Sequence, residues 1–355
     1  MDDILFINEQ DFSNKIYGGS QCTKRNYDAI CDYFQRCDSL NLYHEHRTTL
    51  YKIYMLLMKK NSNLTNRKYI LEKCKGYRFI FIDRSCNGII SYWIKKKFND
   101  CKVITFFHNV EYDFVSGENK NILNMKLSKG KMLYNEYLAC KYSDSIISLN
   151  FRDTLRIEKL YDRKADAIIP ISFPNKCINF NIDAISVQPV AVFLGSDFFA
   201  NIHGIKWFIE EVLPFVNIRL KIVGKGMDKI NLPKNEKSEV FGYVENLDDI
   251  MQTADFVVLP IFFGSGMKVK TCEALMHGKN IIGTYEAFQG YDMNFEKVGA
   301  CCETAEEFVK AINEFPERFT NKFNEYSRNV FLEKYSNDVT FKQFADIFRK
   351  LQEQK

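Results

Sequence analysis

A strand, a glycine-containing loop, a helix and a second strand follow one another in the stretch DFVVLPIFFGSGMKVKTCEALMHGKNIIGT, residues Asp255–Thr284. Asp255–Pro260 is an apolar run rich in β-branched residues, and Met267–Met276 has the composition of a helix. Two strands that run in the same direction need a long crossover between them, and a helix usually supplies it. The stretch therefore predicts an α/β fold built on a parallel sheet.

The same alternation of strands and helices runs through both halves of the chain. The predicted strands are Ile4–Asn8, Arg78–Ile82, Val103–Phe107, Ser143–Asn150, Ala167–Pro170, Val190–Gly195, Arg219–Gly224 and Glu239–Val244. The predicted helices are Cys22–Arg36, His44–Lys60, Lys68–Lys75, Phe151–Leu160, Ile205–Phe215, Leu247–Thr253 and Thr340–Leu351. Two successive series of this kind predict two doubly wound Rossmann-like domains.

The length of the chain also favours two domains, because 355 residues exceed what a single hydrophobic core usually holds. Residues 173–189 are irregular and polar and contain Pro174 and Pro189, so we predict the linker there. The predicted domains are residues 1–172 and 190–335, and residues 336–355 contain the final helix.

Composition argues against several classes of protein. No apolar run approaches the roughly 20 residues that cross a bilayer, and the opening MDDILFINEQ is acidic where a secretion signal is basic. The 11 cysteines include no CxxC pair, and neither HExxH nor an aspartate cluster is present. We therefore predict a cytoplasmic protein without a disulfide framework, without a protein-bound metal and with no nucleic-acid partner.

The glycine loop and the helix that follows it have the features of an anion site. The amides of a first helical turn have no partners within the helix, and the aligned peptide dipoles add positive potential there. Lys268 and Lys270 place two cations beside this loop, and Glu273 follows about one and a half turns into the helix. Phosphate-binding amides, two ammonium groups and a carboxylate for sugar hydroxyls together predict a site for a nucleotide sugar.

Polar residues follow two of the predicted strands in the first half. Gly18 and Gly19 come after the first strand and permit a ligand to approach the backbone, although a tight turn would also explain them. His108 and Asn109 follow Val103–Phe107, at the edge where open parallel sheets bind ligands. His108 is the candidate catalytic side chain of this half, because imidazole can donate, accept and titrate near neutral pH. A purely structural hydrogen bond is the alternative.

Positive charge is concentrated between Arg47 and Lys97. This range holds 13 basic residues and two acidic ones, in a chain whose net charge is +4. Aromatic and aliphatic residues lie among the lysines, as in YKIYMLLMKK and SYWIKKKF. The mixture suits contact with an anionic membrane surface or an acidic acceptor, and a solvated helix face remains the alternative.

Five segments of the second half occur in a characteristic order: FLGSDFFANIHGIKWFIEEVLP, LKIVGKG, VFGYVENLDDIMQTADFVVLP, GSGMKVKTCEALMHGKNIIGT and EAFQGY. They resemble the nucleotide-binding domain of GT-B glycosyltransferases, in particular family 4, whose members build bacterial surface polysaccharides. The first half resembles the acceptor-binding domain of these enzymes through Gly18-Gly19, HNVE at 108–111 and SDSIISLN at 143–150. The resemblance implies a GT-B fold with a cleft between two domains and a final helix that crosses back to the first domain.

The resemblance also implies roles for individual positions. Glu273 matches the glutamate that contacts the nucleotide ribose, Lys268 and Lys270 match the part that neutralises the diphosphate, and His108 matches a histidine on the acceptor side. His108, Lys268 and Glu273 are thus the predicted catalytic residues. The implied donor site consists of Gly195, Ser196, Tyr243, Val244, Gly264, Ser265, Gly266, Met267, Lys268, Lys270 and Glu273, and the implied acceptor side of Gly18, Gly19, His108 and Asn109.

Two positions depart from the family pattern. Ser265 stands where many members have the first of two glutamates eight positions apart, so the carboxylate that would hold the donor sugar is missing. The Arg and Lys that often follow the first strand of the second domain are absent between Gly195 and Ala200, so their work would fall to Lys268 and Lys270.

We predict a metal-independent glycosyltransferase that moves a hexose from a UDP- or GDP-linked sugar to a glycan or polyprenyl-linked acceptor. The resemblance implies retention of the anomeric configuration and no cofactor beyond the nucleotide sugar. Two alternatives remain open: a GT-B epimerase that acts on the nucleotide sugar alone, and a non-catalytic module that binds a nucleotide sugar or a glycan. A dinucleotide oxidoreductase is disfavoured, because no GxGxxG follows either opening strand.

Overall fold

The chain forms two compact units, one of Met1–Ser172 together with Thr340–Lys355 and the other of Phe173–Val339. The computed structural model describes residues 3–9, 19–42, 67–115, 122–177, 180–264 and 266–353. The predicted helix His44–Lys60 lies outside these residues, as do Gly18 and Ser265. The segment 173–189, predicted as the linker, is part of the second unit.

The first unit is built on six parallel strands in the order β2-β1-β3-β4-β5-β6. They are β1 Asp3–Asn8, β2 Arg36–Asn41, β3 Phe79–Ile82, β4 Lys102–Phe107, β5 Ser145–Ser148 and β6 Ala167–Ile168. The strands β1, β3, β4 and β5 are buried almost throughout, because helices cover both faces of a parallel sheet. Their apolar sequences are therefore those of strands without a solvent face.

Strand β2 corrects the sequence prediction, which extended a helix from Cys22 to Arg36. The helix α1, Gly19–Tyr33, ends three residues earlier, and β2 begins at Arg36. This strand lies at the edge of the sheet, pairs with β1 and is largely exposed, so its sequence RCDSLN lacks the apolar run of a buried strand.

The remaining helices of this unit cover the sheet. They are α2 Arg67–Cys74, α3 Gly88–Lys97, α4 Glu111–Phe114, α5 Ile122–Tyr142 and α6 Phe151–Tyr161, with most of the final helix, Asn337–Glu353. In that final helix the Phe344 ring lies 6.1 Å from Phe81, and the Phe348 ring lies 4.8 Å from Phe34, measured between centroids. The last helix thus completes the aromatic core of the first unit.

Helix α3 packs against α5 at Gly88, where only a hydrogen fits. A Cβ built on Gly88 would lie 1.9 Å from the carbonyl oxygen of Asn135 and 2.5 Å from the amide nitrogen of Ala139. We expect Gly88→Ala to destabilise the protein by about 2 kcal/mol or more, because the backbone of α5 would have to move.

The matched control for this prediction is Gly130→Ala in α5. A Cβ on Gly130 meets nothing within 4 Å, and alanine is favoured over glycine in a helix by roughly 1 kcal/mol. Denaturant unfolding of both variants gives the two changes in the free energy of unfolding. If Gly88→Ala were as stable as the parent, the close contact between α3 and α5 would be wrong.

The second unit also has six parallel strands, in the order β12-β11-β10-β7-β8-β9. They are β7 Val190–Leu194, β8 Arg219–Val223, β9 Ser238–Phe241, β10 Phe256–Leu259, β11 Asn280–Gly283 and β12 Gly299–Cys301. The sequence predicted all of these except β12, which has three residues and no apolar run. The prediction of an α/β fold with two parallel sheets is confirmed.

The helices of the second unit include one whose predicted bounds are wrong. The helices of this unit are α7 Phe199–Trp207, α8 Leu247–Thr253, α9 Val269–Met276, α10 Tyr285–Phe288, α11 Phe295–Val298, α12 Ala305–Asn313, α13 Phe315–Arg318 and α14 Glu325–Val330. The final helix of the chain, α15 Asn337–Glu353, follows them. The predicted helix Ile205–Phe215 begins earlier, as α7, and continues as a π turn and a 3₁₀ turn. Pro214 lies in the 3₁₀ turn, where a residue without an N–H cannot continue an α-helix.

Candidate functional site

The strand order of the second unit creates a crevice between β7 and β10. From β7 the chain continues to β8 and β9 on one side, and β10 then pairs with the opposite edge of β7. Open parallel sheets bind ligands at such a switch point, beyond the carboxyl ends of the strands. Gly195 follows β7 and the glycine loop 261–266 follows β10, so two of the predicted donor segments border this crevice.

Glycines shape the backbone at this edge of the sheet. Gly266 has a φ of 63°, in the left-handed region that side chains disfavour. A Cβ on Gly224, just after β8, would lie 2.0 Å from the carbonyl oxygen of Gly195. The carbonyl oxygen of Ser196 accepts a hydrogen bond of 3.0 Å from the Asn201 side chain. The turn after β7 is therefore held by a close backbone approach on one side and by Asn201 on the other.

Lys268 is bonded within the protein. Its Nζ donates to Glu286 Oε1 at 2.7 Å and to the carbonyl oxygen of Gly266 at 3.0 Å. The Lys268 carbonyl oxygen accepts a hydrogen bond of 2.7 Å from the hydroxyl of Tyr291. Only 11% of the Lys268 side chain is exposed, so water screens the ion pair little. Lys268 therefore fixes the glycine loop, and Glu286 offsets part of its charge.

Lys270 lies in surroundings that disfavour its charged form. Its Nζ donates to Asn201 Oδ1 and lies 5.3 Å from the centroid of the Phe193 ring. Burial and the nearby Lys268 lower the pKa of Lys270 from 10.5 to about 7, and Glu273 offsets this only in part. Because an adjacent anion favours the ammonium form, a diphosphate in the crevice would restore the charge of Lys270.

Glu273 lies three residues after Lys270 on α9, so the two side chains share a face of the helix. Burial raises the pKa of Glu273 from 4.5 to about 7, Lys270 acts in the opposite direction, and Asp248 adds to the increase. Hydrogen bonds donated by sugar hydroxyls favour the carboxylate form. Lys270 and Glu273 thus both titrate near neutral pH, and each has a protonation state that a nucleotide sugar would select.

Two residues of this arrangement were not predicted from the sequence. Asn201 contacts both Ser196 and Lys270, and Glu286 pairs with Lys268. Glu286 belongs to the segment EAFQGY that carried the resemblance, so a signal was present. Nothing in the sequence indicated that these side chains meet, because 69 residues separate Asn201 from Lys270.

The other predicted donor residues are distributed around the same sheet edge. Gly264 and Met267 belong to the loop and the turn that precede α9, and Met267 is buried. Tyr243 and Val244 follow β9, two strands away from β7, and Tyr243 is 49% exposed. The structure therefore brings Gly195, Ser196, Lys270 and their loop together and places Tyr243 further along the edge.

His108 follows β4 in the first unit and is buried. Its Nε2 lies 3.1 Å from Asp83 Oδ2, and Asp83 also accepts a hydrogen bond of 2.7 Å from the Asn26 side chain. Burial disfavours the imidazolium, but Asp83 and Cys22 outweigh it and raise the pKa of His108 from 6.5 to about 9. His108 is thus a fixed cation at neutral pH. Asn109 beside it is partly buried, and Gly19 is the first residue of α1.

A buried carboxylate on α5 holds the loop that carries His108. Glu136 accepts hydrogen bonds from the amides of Glu111, at 2.8 Å, and Tyr112, at 3.2 Å. The hydroxyl of Tyr161 donates to the same carboxylate at 2.6 Å. These bonds cap the start of α4, so the turn after β4 has a defined position relative to α5.

Both units have the doubly wound parallel sheet of the predicted GT-B fold, and the second unit contains a crevice where such sheets bind ligands. Residues 188–317 match the family model described as Glycosyl transferases group 1, so the second unit carries this domain. No curated protein sequence matches the chain.

Solved structures of glycosyltransferases share the fold over the whole chain. The lipopolysaccharide outer core galactosyltransferase WaaB in its apo form is 12% identical, with a TM-score of 0.69 over 98% of this chain and 99% of that one. HepE of Anabaena in complex with UDP-glucose is 11% identical, with a TM-score of 0.64 over 98% and 99%. A glycosyltransferase from Rickettsia africae is 11% identical, with a TM-score of 0.64 over 100% of both chains.

Two features are absent from the residues that the structure describes. Among them, no group of three or more His, Cys, Asp and Glu side chains is arranged to hold a metal ion. No helix in the same part of the chain is long and apolar enough to cross a membrane.

Proposed function

We propose that the chain transfers a hexose from a UDP- or GDP-linked sugar to a glycan or polyprenyl-linked acceptor. The observation that carries this proposal is Lys270, an amine of depressed pKa at the switch point, which shares a helix face with Glu273. Such an amine gains more from a neighbouring anion than an exposed lysine does, because its charged form is poorly solvated. The UDP-glucose complex of HepE, a protein of the same fold, supports a diphosphate-linked donor.

The proposed reaction depends on stabilising the negative charge of the departing diphosphate. Cleavage of the bond between the sugar and the phosphate leaves negative charge on the departing diphosphate. Lys270 and the amides at the start of α9 stabilise this charge, and Lys268 holds the loop that precedes them. Glu273 accepts hydrogen bonds from the ribose hydroxyls. The proposed reaction needs no protein-bound metal and no cofactor beyond the nucleotide sugar.

We further propose that the anomeric configuration is retained. An oxygen of the leaving diphosphate then takes the proton of the acceptor hydroxyl on the face of the sugar from which the diphosphate departs. The first unit binds the acceptor near the carboxyl ends of β1 and β4, with Asn109 in contact with it. His108 stays protonated at neutral pH, with a pKa of about 9, and Asp83 at 3.1 Å offsets its charge.

Nucleotide binding and donor turnover test the proposal. We expect UDP or GDP to raise the melting temperature, because a ligand at about 100 times its Kd adds roughly 2.7 kcal/mol of stability. Incubation with UDP- and GDP-hexoses and a panel of glycan and polyprenyl acceptors should release the nucleoside diphosphate and form a product. An epimerised donor without acceptor would identify an epimerase, and binding without turnover would identify a binding module. Absence of any thermal shift would contradict the donor site itself.

We also propose that the first unit contacts an anionic membrane at the ends of α3 and α5. Lys96 and Lys97 are exposed at the end of α3, and Lys141 is exposed at the end of α5. The ring of Tyr92, in the middle of α3, lies 5.0 Å from the ring of Tyr142, at the end of α5. Basic and aromatic side chains together suit the headgroup region. Of the basic range Arg47–Lys97, residues 47–66 lie outside the described residues.

The membrane contact is tested with the double variant Lys96→Gln/Lys97→Gln. Each lysine near an anionic surface contributes about 1 kcal/mol, so we expect roughly 10-fold or greater loss of binding to phosphatidylserine vesicles. Lys95 is left unchanged, because its Nζ bonds Asp144 at 3.1 Å and the carbonyl oxygen of Cys101 at 3.0 Å. Lys310→Gln is the control, because the Lys310 side chain lies in the second unit and is 74% exposed. Equal vesicle binding by the double variant and the parent would leave the solvated-face interpretation.

A further inference from the structure

Cys22 lies in the first turn of α1, among groups that stabilise negative charge on sulfur. The Arg25 guanidinium donates to Cys22 Sγ at 3.1 Å. The imidazole of His108, whose Nε2 lies 3.1 Å from Asp83, is near enough to favour negative charge on the same thiol. The position in the first helical turn adds the positive end of the helix dipole. These are the surroundings in which protein thiols ionise, namely a helix N-terminus with neighbouring arginine and imidazolium.

The electrostatics of this cluster agree with its geometry. Burial alone would raise the pKa of Cys22, but Arg25 and His108 outweigh it and lower the pKa below the ordinary value, while Asp83 acts weakly against them. Arg25 and Cys22 come from α1, Asp83 from the end of β3 and His108 from the end of β4. The cluster thus places two cations beside the thiol of Cys22 and the carboxylate of Asp83, so ionisation of the thiol is favoured.

The other cysteines whose pKa is shifted behave in the opposite way. Burial raises the pKa of Cys74, Cys101, Cys140 and Cys302 to about 12. Cys301 is exposed, and burial together with Glu303 and Glu307 raises its pKa to about 11. Reactivity set by exposure would select Cys301, whereas reactivity set by ionisation would select Cys22.

We propose that Cys22 is a modification site, a thiolate that small hydroperoxides oxidise to a sulfenate. The Sγ anion attacks one oxygen of the peroxide, so a sulfur–oxygen bond forms and the oxygen–oxygen bond breaks. Sulfur loses two electrons, and hydrogen peroxide is reduced to water, with the sulfenate as the other product. Within the described residues, Arg25 Nε is buried and has no hydrogen-bond partner. It is available to the oxygen that the reaction places on sulfur. Cys22 is 7% exposed, which restricts the reaction to small reagents.

Sulfenate trapping tests this site without any nucleotide or acceptor, so its outcome is independent of the proposed transfer reaction. The folded chain is treated with hydrogen peroxide at pH 7, the peroxide is removed with catalase, the chain is unfolded in dimedone, and peptide mass spectrometry quantifies the adduct on each cysteine. We expect at least 10-fold more adduct on Cys22 than on Cys301, because thiolate fraction rises about tenfold for each unit of lowered pKa. Cys22→Ser should remove the dominant adduct, and circular dichroism should confirm that each variant is folded.

Two variants of this cluster test whether ionisation of the Cys22 thiol, and not its exposure, sets the rate of oxidation. His108→Gln and Arg25→Gln should each slow oxidation of Cys22 at pH 7 by about tenfold, because each removes a cation that lowers the pKa of this thiol. The rate should recover as the pH is raised toward 10. Should both variants unfold, the pH profile of the parent decides: a Cys22 rate already at its plateau below pH 8 supports the proposal. Preferential labelling of Cys301, or a Cys22 rate that still rises tenfold per unit above pH 8, would overturn it.

Discussion

Lys270→Met is expected to lower kcat/KM for sugar transfer by about 10²-fold, because it removes a preset cation from the departing diphosphate. Methionine keeps the length and much of the volume of lysine, so the contact with Phe193 remains while the charge and the hydrogen bond to Asn201 are lost. Binding of UDP or GDP should weaken as well, and calorimetry measures that change. Because Lys270 is a partly buried amine with depressed pKa, its loss should leave the protein at least as stable as the parent.

Two comparisons make the Lys270 result specific. Lys310→Met, on the exposed face of α12, removes one positive charge from the same unit and should leave kcat/KM unchanged. Lys268→Met should also impair transfer, but through the loop, since Lys268 is bonded to Glu286 and to the carbonyl oxygen of Gly266. Glu286→Gln should then reproduce part of the Lys268→Met effect, and the double variant should be no worse than Lys268→Met alone. Unchanged kinetics for Lys270→Met would remove this lysine from the donor site.

Periodicity in the sequence predicted most of both sheets, because the buried strands of a parallel sheet are continuous apolar runs. In the second unit five of the six strands were predicted, and the sequence also placed Lys270 and Glu273 three residues apart on one helix. The order of the strands places the crevice, and Lys270 and Glu273 form its charged face. The charged residues predicted a nucleotide-sugar site, and the resemblance to family 4 glycosyltransferases added the transfer reaction, which periodicity does not indicate.

The structure adds contacts between residues that are distant in the sequence. Asn201 meets Lys270 across the switch point, and Glu286 meets Lys268 across the loop; both pairs depend on how neighbouring strands are ordered. Edge strand β2 was missed because exposure removes the apolar signal. Cys22 gave no signal either, since its ionisation depends on His108, which lies 86 residues further along the chain and reaches it only through the order β1-β3-β4. Local sequence patterns predict helices and strands, whereas contacts between side chains that are distant in the sequence are seen only in the folded structure.

The affinity for UDP-glucose, or for the GDP-linked donor if that is the one bound, is expected to fall by about tenfold per pH unit above pH 7. The free protein holds Lys270 with a pKa of about 7, and the bound diphosphate raises that pKa. Binding therefore takes up a proton whenever Lys270 is neutral beforehand, so a rising pH opposes binding. A nucleotide sugar is the suitable probe, because its diphosphate carries a sugar at one end and has no proton to lose near neutral pH. Calorimetry between pH 7 and 9 should show a loss of roughly 25-fold or more, up to the pKa of the complex.

Below pH 7, Glu273 gives the donor affinity the opposite dependence on pH. Its pKa is raised to about 7 in the free protein, and ribose hydroxyls favour the carboxylate, so binding releases a proton below pH 7 and affinity rises as the pH approaches 7. The parent should therefore bind most tightly near neutral pH. Glu273→Gln should abolish the acidic limb and keep the alkaline one, whereas Lys270→Met should do the reverse. A parent affinity that stays constant from pH 6 to 9 would mean that neither side chain changes its protonation on binding, and both would then lie outside the donor's reach.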